Sequence, residues 1–321
     1  MNGGKIKNNI TFLLIIVFII VGYFLYKTSG FSFSPYYAKD LNHPSIDILV
    51  VGDIMLDRNV RHIINKIGFD KFFSGVEGLV KRADIAVGNL EGPFTTYPSV
   101  TADLTNKALQ FTFSPALAPK LAELGFDILG LANNHTLNFG REGLEMTRRY
   151  IGSSGMMYYG DPFNKDEIST AVTKDGIKVA FVGFHEFYYV NFPKVFEEIK
   201  RLRREVDVLV VTPHWGNEYQ KEPTEKMIKW AHEFIDSGAD AVIGTHPHVV
   251  GISEKYKGKK IYYSLGNFVF DQYFSEETMN GLAIVINVTK KDNKIELDYE
   301  EIPVMVDRGG VGVLIEPDKS F

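Results

Sequence analysis

Two histidines flank a proline in Gly244-Thr245-His246-Pro247-His248, directly after the run Ala239-Asp240-Ala241-Val242-Ile243, which reads as a buried strand. Side chains two apart on an extended chain point the same way, so His246 and His248 are expected to project together from a strand end. Pro247 lacks a ladder donor, so pairing should stop there. Two imidazoles aimed one way can bind a metal, and alone they are equally well two surface histidines in a turn. Other strand ends decide between these readings. Asp53 follows the run 46–51, Glu91 follows 84–87, Asn134 and His135 follow 126–131, and His214 follows 206–211. Open α/β sheets bind ligands at the carboxyl ends of their strands. Each residue has a bland reading alone: Asp53 or Asn134 as a turn cap, Glu91 as a surface charge, His214 as a satisfied core histidine. Their recurrence at successive strand ends favours a shared site.

The donor types narrow the chemistry. Asp53, Glu91, Asn134, His214, His246 and His248 make a mixed nitrogen and oxygen set, which suits Mn, Fe or Zn better than Ca. Six side chains exceed a tetrahedral zinc site with one open position, and fit two metals sharing a carboxylate. Such a pair lowers the pKa of a shared water and clamps both oxygens of an in-line displacement at phosphorus. His135, next to Asn134, can protonate a leaving oxygen or stabilise developing negative charge.

Alternating elements must position these groups. Helical spacing covers 60–67, 70–81, 115–124, 140–153, 193–205 and 223–237, between the strand-like runs. Residues 95–110 are polar and aperiodic and read as a long loop. After 248 the pattern changes to strands at 260–264, 282–288 and 294–306, without helices. This predicts α/β layers, with the C-terminal third forming a second, mostly antiparallel sheet packed on the first and helices outside.

The whole chain sets outer limits. It has 321 residues, 45% hydrophobic and 23% charged, with a net charge of −5, which gives no reason to expect nucleic-acid binding. The lack of cysteine excludes disulfides, thiolate-bound zinc and a thiol nucleophile. Residues 10–26 carry no charge and are dense in Ile, Leu, Val and Phe, with Lys5 and Lys7 before them and Lys27 after. That predicts an uncleaved membrane anchor, with a cleaved signal peptide as the alternative. The lysines favour a cytoplasmic N-terminus at 1–9, with the main domain outside the cytoplasm. Residues 27–45 then form a linker and 46–321 a single domain.

The motifs in order are Val51-Gly52-Asp53-Ile54-Met55-Leu56-Asp57-Arg58, Gly88-Asn89-Leu90-Glu91-Gly92-Pro93, Ala132-Asn133-Asn134-His135, His214-Trp215-Gly216-Asn217-Glu218-Tyr219, Gly244-Thr245-His246-Pro247-His248-Val249 and Tyr263-Ser264-Leu265-Gly266-Asn267-Phe268. As a set, spanning 46 to about 271, they resemble the CapA family of capsule (poly-γ-glutamate) synthesis proteins, a branch of the calcineurin-like metallophosphoesterases. The resemblance implies a four-layer α/β/β/α sandwich. It implies that Asp53, Glu91, Asn134, His214, His246 and His248 hold one or two divalent metal ions and that His135 is catalytic. It places Arg58, Trp215, Glu218 and Asn267 along a substrate cleft, although Trp215 and Asn267 could instead shape their loops. Three positions depart from the superfamily pattern: Met55 stands where a ligand histidine is usual, Glu91 where an aspartate is usual, and Asn138 where an aspartate often follows the Asn-Asn-His. The implied function is membrane-anchored synthesis, export or anchoring of an anionic surface polymer through metal-dependent phosphoester chemistry, alongside other capsule-synthesis membrane proteins. The alternative is a non-catalytic subunit of a polymer synthase or export complex with a vestigial metal site.

Overall fold

The structure is a computed structural model that describes residues 43–106, 108–188 and 192–314. The apolar run 10–26 and nearly all of the linker lie outside them. Among the described residues no helix is long and apolar enough to cross a membrane.

The first strand, β1 (Ser45–Ile54), carries the clearest pattern. Ile46, Ile48 and Val50 face one way and Leu49 and Val51 the other, and all are buried. A strand apolar on both faces belongs in the middle of a covered sheet. On one side it pairs in parallel with β2 (Ile85–Leu90), which leads to β3 (Ile128–Gly130) and β4 (Met157–Tyr159). A second sheet runs β5 (Ser169–Lys174), β6 (Ile177–His185), β7 (Val208–His214), β8 (Ala241–Ile243), β10 (Lys259–Tyr262) and β9 (Ser253–Tyr256). Its β6, β7, β8 and β10 are parallel, and the edges β5 and β9 are antiparallel.

Of the C-terminal strands expected in that second sheet, 260–264 is there as β10, but 282–288 and 294–306 are not. Strand β12 (Asn280–Lys291) pairs antiparallel with the open side of β1, and β13 (Lys294–Asp307) and β14 (Gly310–Val313) follow as hairpins. Short β11 (Asn267–Val269) pairs in parallel with the end of β1. The reason is hydrogen-bond satisfaction. The outer side of β1 is buried backbone that needs a partner, and period-2 alternation reports only that a strand has two unlike faces. The result is a mixed α/β two-sheet fold.

Helices cover both outer faces. On the first sheet lie α1 (Arg58–Ile67), α2 (Phe69–Phe73), α3 (Glu77–Arg82), α4 (Leu117–Leu124) and α5 (Gly140–Ser153). On the second lie α6 (Phe192–Leu202) and α7 (Glu225–Ser237). One-turn α8 (Glu276–Met279) interrupts the C-terminal strands. Between the sheets, Ile46, Ile48 and Val50 pack in one cluster with Val179, Phe181, Val208 and Val210. The helix expected over 70–81 is broken at Gly75, which bridges Gly312. A Cβ at Gly75 would stand 2.7 Å from the Val311 carbonyl oxygen, so the strand reaches the helix backbone only because position 75 is glycine.

The aperiodic stretch 95–110 is held by one buried carboxylate. Asp57, fully buried, accepts from Arg61 Nε at 2.6 Å, from the Ser99 hydroxyl at 2.8 Å, from the Thr101 hydroxyl at 2.9 Å and from Thr112 N–H at 2.9 Å. Arg61 also donates to the Thr112 carbonyl. Asp57→Ala should lower unfolding free energy by about 3 kcal/mol, because several buried donors lose a charged acceptor at once. Urea denaturation checks this; a loss below about 1 kcal/mol would show that the loop does not depend on Asp57.

Candidate metal centre

Asp53 is aimed by an irregularity in its own strand. Its neighbours across the sheet are Asn89 of β2 and Asn267 of β11, and the β1–β2 register slips between Val51 and Asp53. Such a slip re-aims a side chain. Glu91 lies one residue beyond β2, with its N–H on the Ile54 carbonyl at 2.9 Å. Asn134 and His135 sit in the turn after β3, which Asn133 braces by accepting from the His135 N–H at 3.1 Å. His214 is the last residue of β7, which runs on through Pro213 rather than stopping at 211. Pro213 lacks a donor, but its carbonyl accepts from Thr245 N–H at 2.9 Å.

His246 and His248 reach the same place by a route that period-2 geometry does not describe. Strand β8 ends at Ile243, before Pro247, and both histidines are left-handed, with φ of 98° and 58°. They converge through a tight turn and not through an extended chain. At its start Gly244 passes so close to β10 that an added Cβ would lie 2.3 Å from the Tyr263 carbonyl oxygen. Arg58 and Tyr219 are also left-handed, with φ of 52° and 64°. Four such non-glycine residues around one cleft, each costing on the order of 1 kcal/mol, are backbone strain of the kind found at functional sites.

The six proposed donors come together. Asn134 Oδ1 lies 2.9 Å from His214 Nε2, and His246 Nδ1 lies 3.2 Å from the same nitrogen. His248 Nδ1 is 3.3 Å from Asp53 Oδ2, and its Nε2 is 3.7 Å from Glu91 Oε1. His135 Nε2 is 3.8 Å from that same Glu91 oxygen. Asp53, Glu91 and His214 each offer an atom within 4.8 Å of the others'. Glu91 has no exposed surface, and neither of its oxygens has a hydrogen-bond partner. A buried carboxylate left in that state is costly unless a proton or a cation completes it.

The electrostatics agree with this reading. Burial, then the negative charge of Asp53, pushes the Glu91 pKa well above its ordinary value. Burial, then His246, lowers His214 well below its ordinary value. Burial, then His248, takes His246 down to about 3. Burial takes His135 down to about 4. Neutral imidazoles are the form a divalent cation binds, and a cation beside Glu91 would displace the proton that its raised pKa favours.

The four cleft candidates separate. Arg58 and Glu218 line a cavity of about 160 Å³ together with His135 and His248. Trp215 does not line it. It has no exposed surface, donates to the Tyr263 carbonyl at 3.0 Å and stacks on Phe234, so it is core. Asn267 is also buried. Its Oδ1 lies 2.9 Å from His248 Nδ1 while its amide donates to the Thr278 carbonyl at 2.8 Å, so it positions His248. Met55 is buried in the cluster between first sheet and helices, and its sulfur accepts from Asp57 N–H at 3.1 Å. Asn138 Nδ2 stands 3.1 Å from His135 Nδ1.

Sequence reasoning missed several supports. Asn89 donates to Asp53 Oδ1 at 2.7 Å and lies 3.3 Å from His214 Nδ1. The Thr245 hydroxyl is 2.9 Å from that His214 nitrogen. Phe187 packs on His246 at 4.3 Å between ring centroids. Asn89 and Thr245 sit inside the motifs quoted above, which is the one signal that could have found them.

Residues 47–272 match a family described as bacterial capsule synthesis protein PGA_cap. A capsule biosynthesis protein CapA of Bacillus anthracis is 31% identical over 254 residues, 73% of this chain and 62% of that protein. The chain therefore spans less than two thirds of that relative's length. A PGA biosynthesis protein CapA of Bacillus subtilis (strain 168) is 28% identical over 285 residues, 84% of this chain and 74% of that protein. Among solved structures, a novel phosphatase from Mycoplasma pneumoniae aligns with a TM-score of 0.56 at 15% identity, covering 83% of this chain and 95% of that one. That likeness is one of fold.

Two outcomes follow from the geometry. Glu91→Gln should stabilise the metal-free protein near neutral pH, since it removes a repelled buried charge, and should abolish any rise in Tm on adding Mn²⁺. Equal Mn²⁺ stabilisation of both forms would take Glu91 out of the site. The histidines set the acid limb. His135 and His246 hold folded-state pKa values of about 4 and about 3 against an ordinary 6.5, so below 6.5 the unfolded chain binds protons that the folded chain refuses. Stability should therefore be full above about pH 6.5 and fall progressively toward pH 4, by up to about 1.4 kcal/mol per pH unit for each such histidine. Denaturant midpoints across that window measure it, and His246→Asn should flatten the slope.

Proposed function

We propose, for a chain that belongs to the bacterial capsule synthesis protein family PGA_cap, a metal-dependent phosphoester hydrolase or transferase that acts in making, exporting or anchoring a capsule polymer of the poly-γ-glutamate kind. The observation that carries the chemistry is Glu91, buried with both oxygens unpartnered beside Asp53 and His214. The names of the Bacillus relatives support the capsule role, and the metallophosphoesterase-like fold is compatible with the reaction.

Asp53, Glu91, Asn134, His214, His246 and His248 would hold one or two divalent ions, Mn, Fe or Zn by donor type. A bound ion would supply an activated water and charge neutralisation at phosphorus. The protein's own groups do the rest. Asn89 and Thr245 orient Asp53 and His214, and Asn267 orients His248. His135, neutral at physiological pH because burial depresses it to about 4, presents a ring nitrogen at the cavity shared with Arg58 and Glu218. From there it can donate a hydrogen bond to oxygen as negative charge develops. Residues 10–26 would anchor the chain with its N-terminus in the cytoplasm and residues 46–321 outside, near other capsule-synthesis membrane proteins.

Metal analysis and a phosphodiesterase assay on the purified full chain test this. Bound metal and Mn²⁺-dependent turnover are expected. His246→Ala should lose metal, whereas His135→Ala should keep it and lose about 10² to 10⁴ in kcat. Metal-free protein without turnover in added Mn²⁺ would leave the second reading, a non-catalytic polymer-binding subunit, which the burial of Met55 away from the ligands favours.

A further inference from the structure

Strand β6 ends at His185, and the turn after it supplies none of the six donors. It is nevertheless fastened to the site at three points. Asn164 holds the backbone of buried His185 from both sides, accepting its N–H at 3.3 Å and donating to its carbonyl at 3.0 Å. Glu186 Oε1 accepts from Gly216 N–H at 2.6 Å, and its Oε2 lies 2.8 Å from Lys226 Nζ. The Tyr188 hydroxyl donates to the Asn134 carbonyl at 2.7 Å, which ties this turn to the one after β3 in the other sheet. Phe187 stands between these fixed points, so its place is set by its neighbours in the chain.

That place is over His246. The ring centroids of Phe187 and His246 are 4.3 Å apart, and Phe187 meets His214 edge-on at 5.8 Å. Phe187 is 37% exposed, whereas His246 is 5% and His214 1% exposed, so the phenyl ring separates both imidazoles from solvent. The other side of the donor set is open. A cavity of about 160 Å³ reaches His135 and His248 there, space for about five water-sized groups. Its lining is polar and internally paired: Arg58 Nε lies 3.3 Å from Asp271 Oδ2, and the Gln272 amide donates to the Tyr219 hydroxyl at 3.2 Å.

A phosphodiester carries two organic arms that the tetrahedral phosphorus points apart. One arm finds room in the cavity. A second bulky arm, directed toward His246, meets a ring held by fixed packing, and overpacking of that kind is costly. We propose that Phe187 is a specificity-determining wall that makes this site favour phosphoryl groups with one bulky organic arm, such as a terminal phosphate ester, over diesters with two. This rests on the metal-site reading above and adds the class of phosphoryl substrate.

Titration calorimetry on the full chain with Mn²⁺ tests it with methyl(phenyl)phosphinate and diphenylphosphinate. Both carry one negative charge and P–C bonds that resist hydrolysis, and they differ only in the second arm. The methyl compound should bind at least tenfold tighter. Phe187→Ala should tighten diphenylphosphinate and remove most of that preference, Phe187→Leu should remove part of it, and Phe187→Trp should keep it. Thermal melts identify the folded variants, and Phe187→Leu decides if Phe187→Ala unfolds. A second readout needs no metal. In metal-free protein diethyl pyrocarbonate, mapped by mass spectrometry, should modify exposed His62 in every form, and should modify His246 markedly faster in Phe187→Leu than in the wild type. Equal binding of the two phosphinates by the wild type, a preference unmoved in folded Phe187→Leu, or wild-type His246 as reactive as His62 overturns the proposal. The two readings fail separately: protein that takes up Mn²⁺ without discriminating the phosphinates sinks only this one, and protein that takes up no Mn²⁺ while Phe187→Leu unmasks His246 sinks the metal reading and keeps Phe187 as the wall.

Discussion

The constraint on which the rest depends is the burial of Glu91 beside Asp53. Two carboxylates are brought out of water within reach of each other, and one of them keeps both oxygens unpartnered. No packing gain compensates such an arrangement, because moving an ionised carboxylate from water to a protein interior costs several kcal/mol even after relaxation. The surrounding structure reads as the means of enforcing it. Asn89 and the His246 N–H hold Asp53, and the slipped register of β1 turns it inward. His214 and His246, whose pKa values burial depresses, face the pair, and Asn267 positions His248 beside Asp53. A cation among Asp53, Glu91 and His214 would resolve the repulsion.

Two sheets are needed for this convergence. Asp53, Glu91 and Asn134 come from the parallel half of the first sheet, and His214, His246 and His248 from the second. The shared core of Ile46, Ile48 and Val50 with Val179, Phe181 and Val208 sets how the strand ends meet. The turns are then bent to finish the geometry, which is why left-handed residues collect at Arg58, Tyr219, His246 and His248. Packing that is rigid and shared by both sheets can sustain local strain that an isolated loop would release.

Much of the chain was legible beforehand for a simple reason. Helix α5 was expected at its observed bounds because its 3.6 periodicity is strong and glycine opens it. The donors were legible because each follows an apolar run, and the strand-end rule depends only on local pattern. Trp215 shows the limit. A tryptophan beside a candidate ligand histidine looks like a cleft residue, yet its neighbours in space are Phe234 and Tyr263, distant in sequence. Asn267 looked like a cleft residue too and proved to be the brace of His248, for the same reason. The C-terminal hairpins were placed in the wrong sheet because alternation reveals a strand's two faces and says nothing about its partner.

By itself, then, the sequence determined which elements form, that the polar groups lie at strand ends, and that the donor set is nitrogen and oxygen without sulfur. These depend on residue type and short-range spacing. Tertiary structure alone decided that the proline-spaced histidines converge through a strained turn, that Met55 is core, that Arg58 pairs with Asp271, and that among the described residues Glu91 is left without a hydrogen-bond partner. Each of those is a statement about what a side chain meets across the fold, and burial, repulsion and hydrogen-bond satisfaction are set by neighbours that local spacing does not specify.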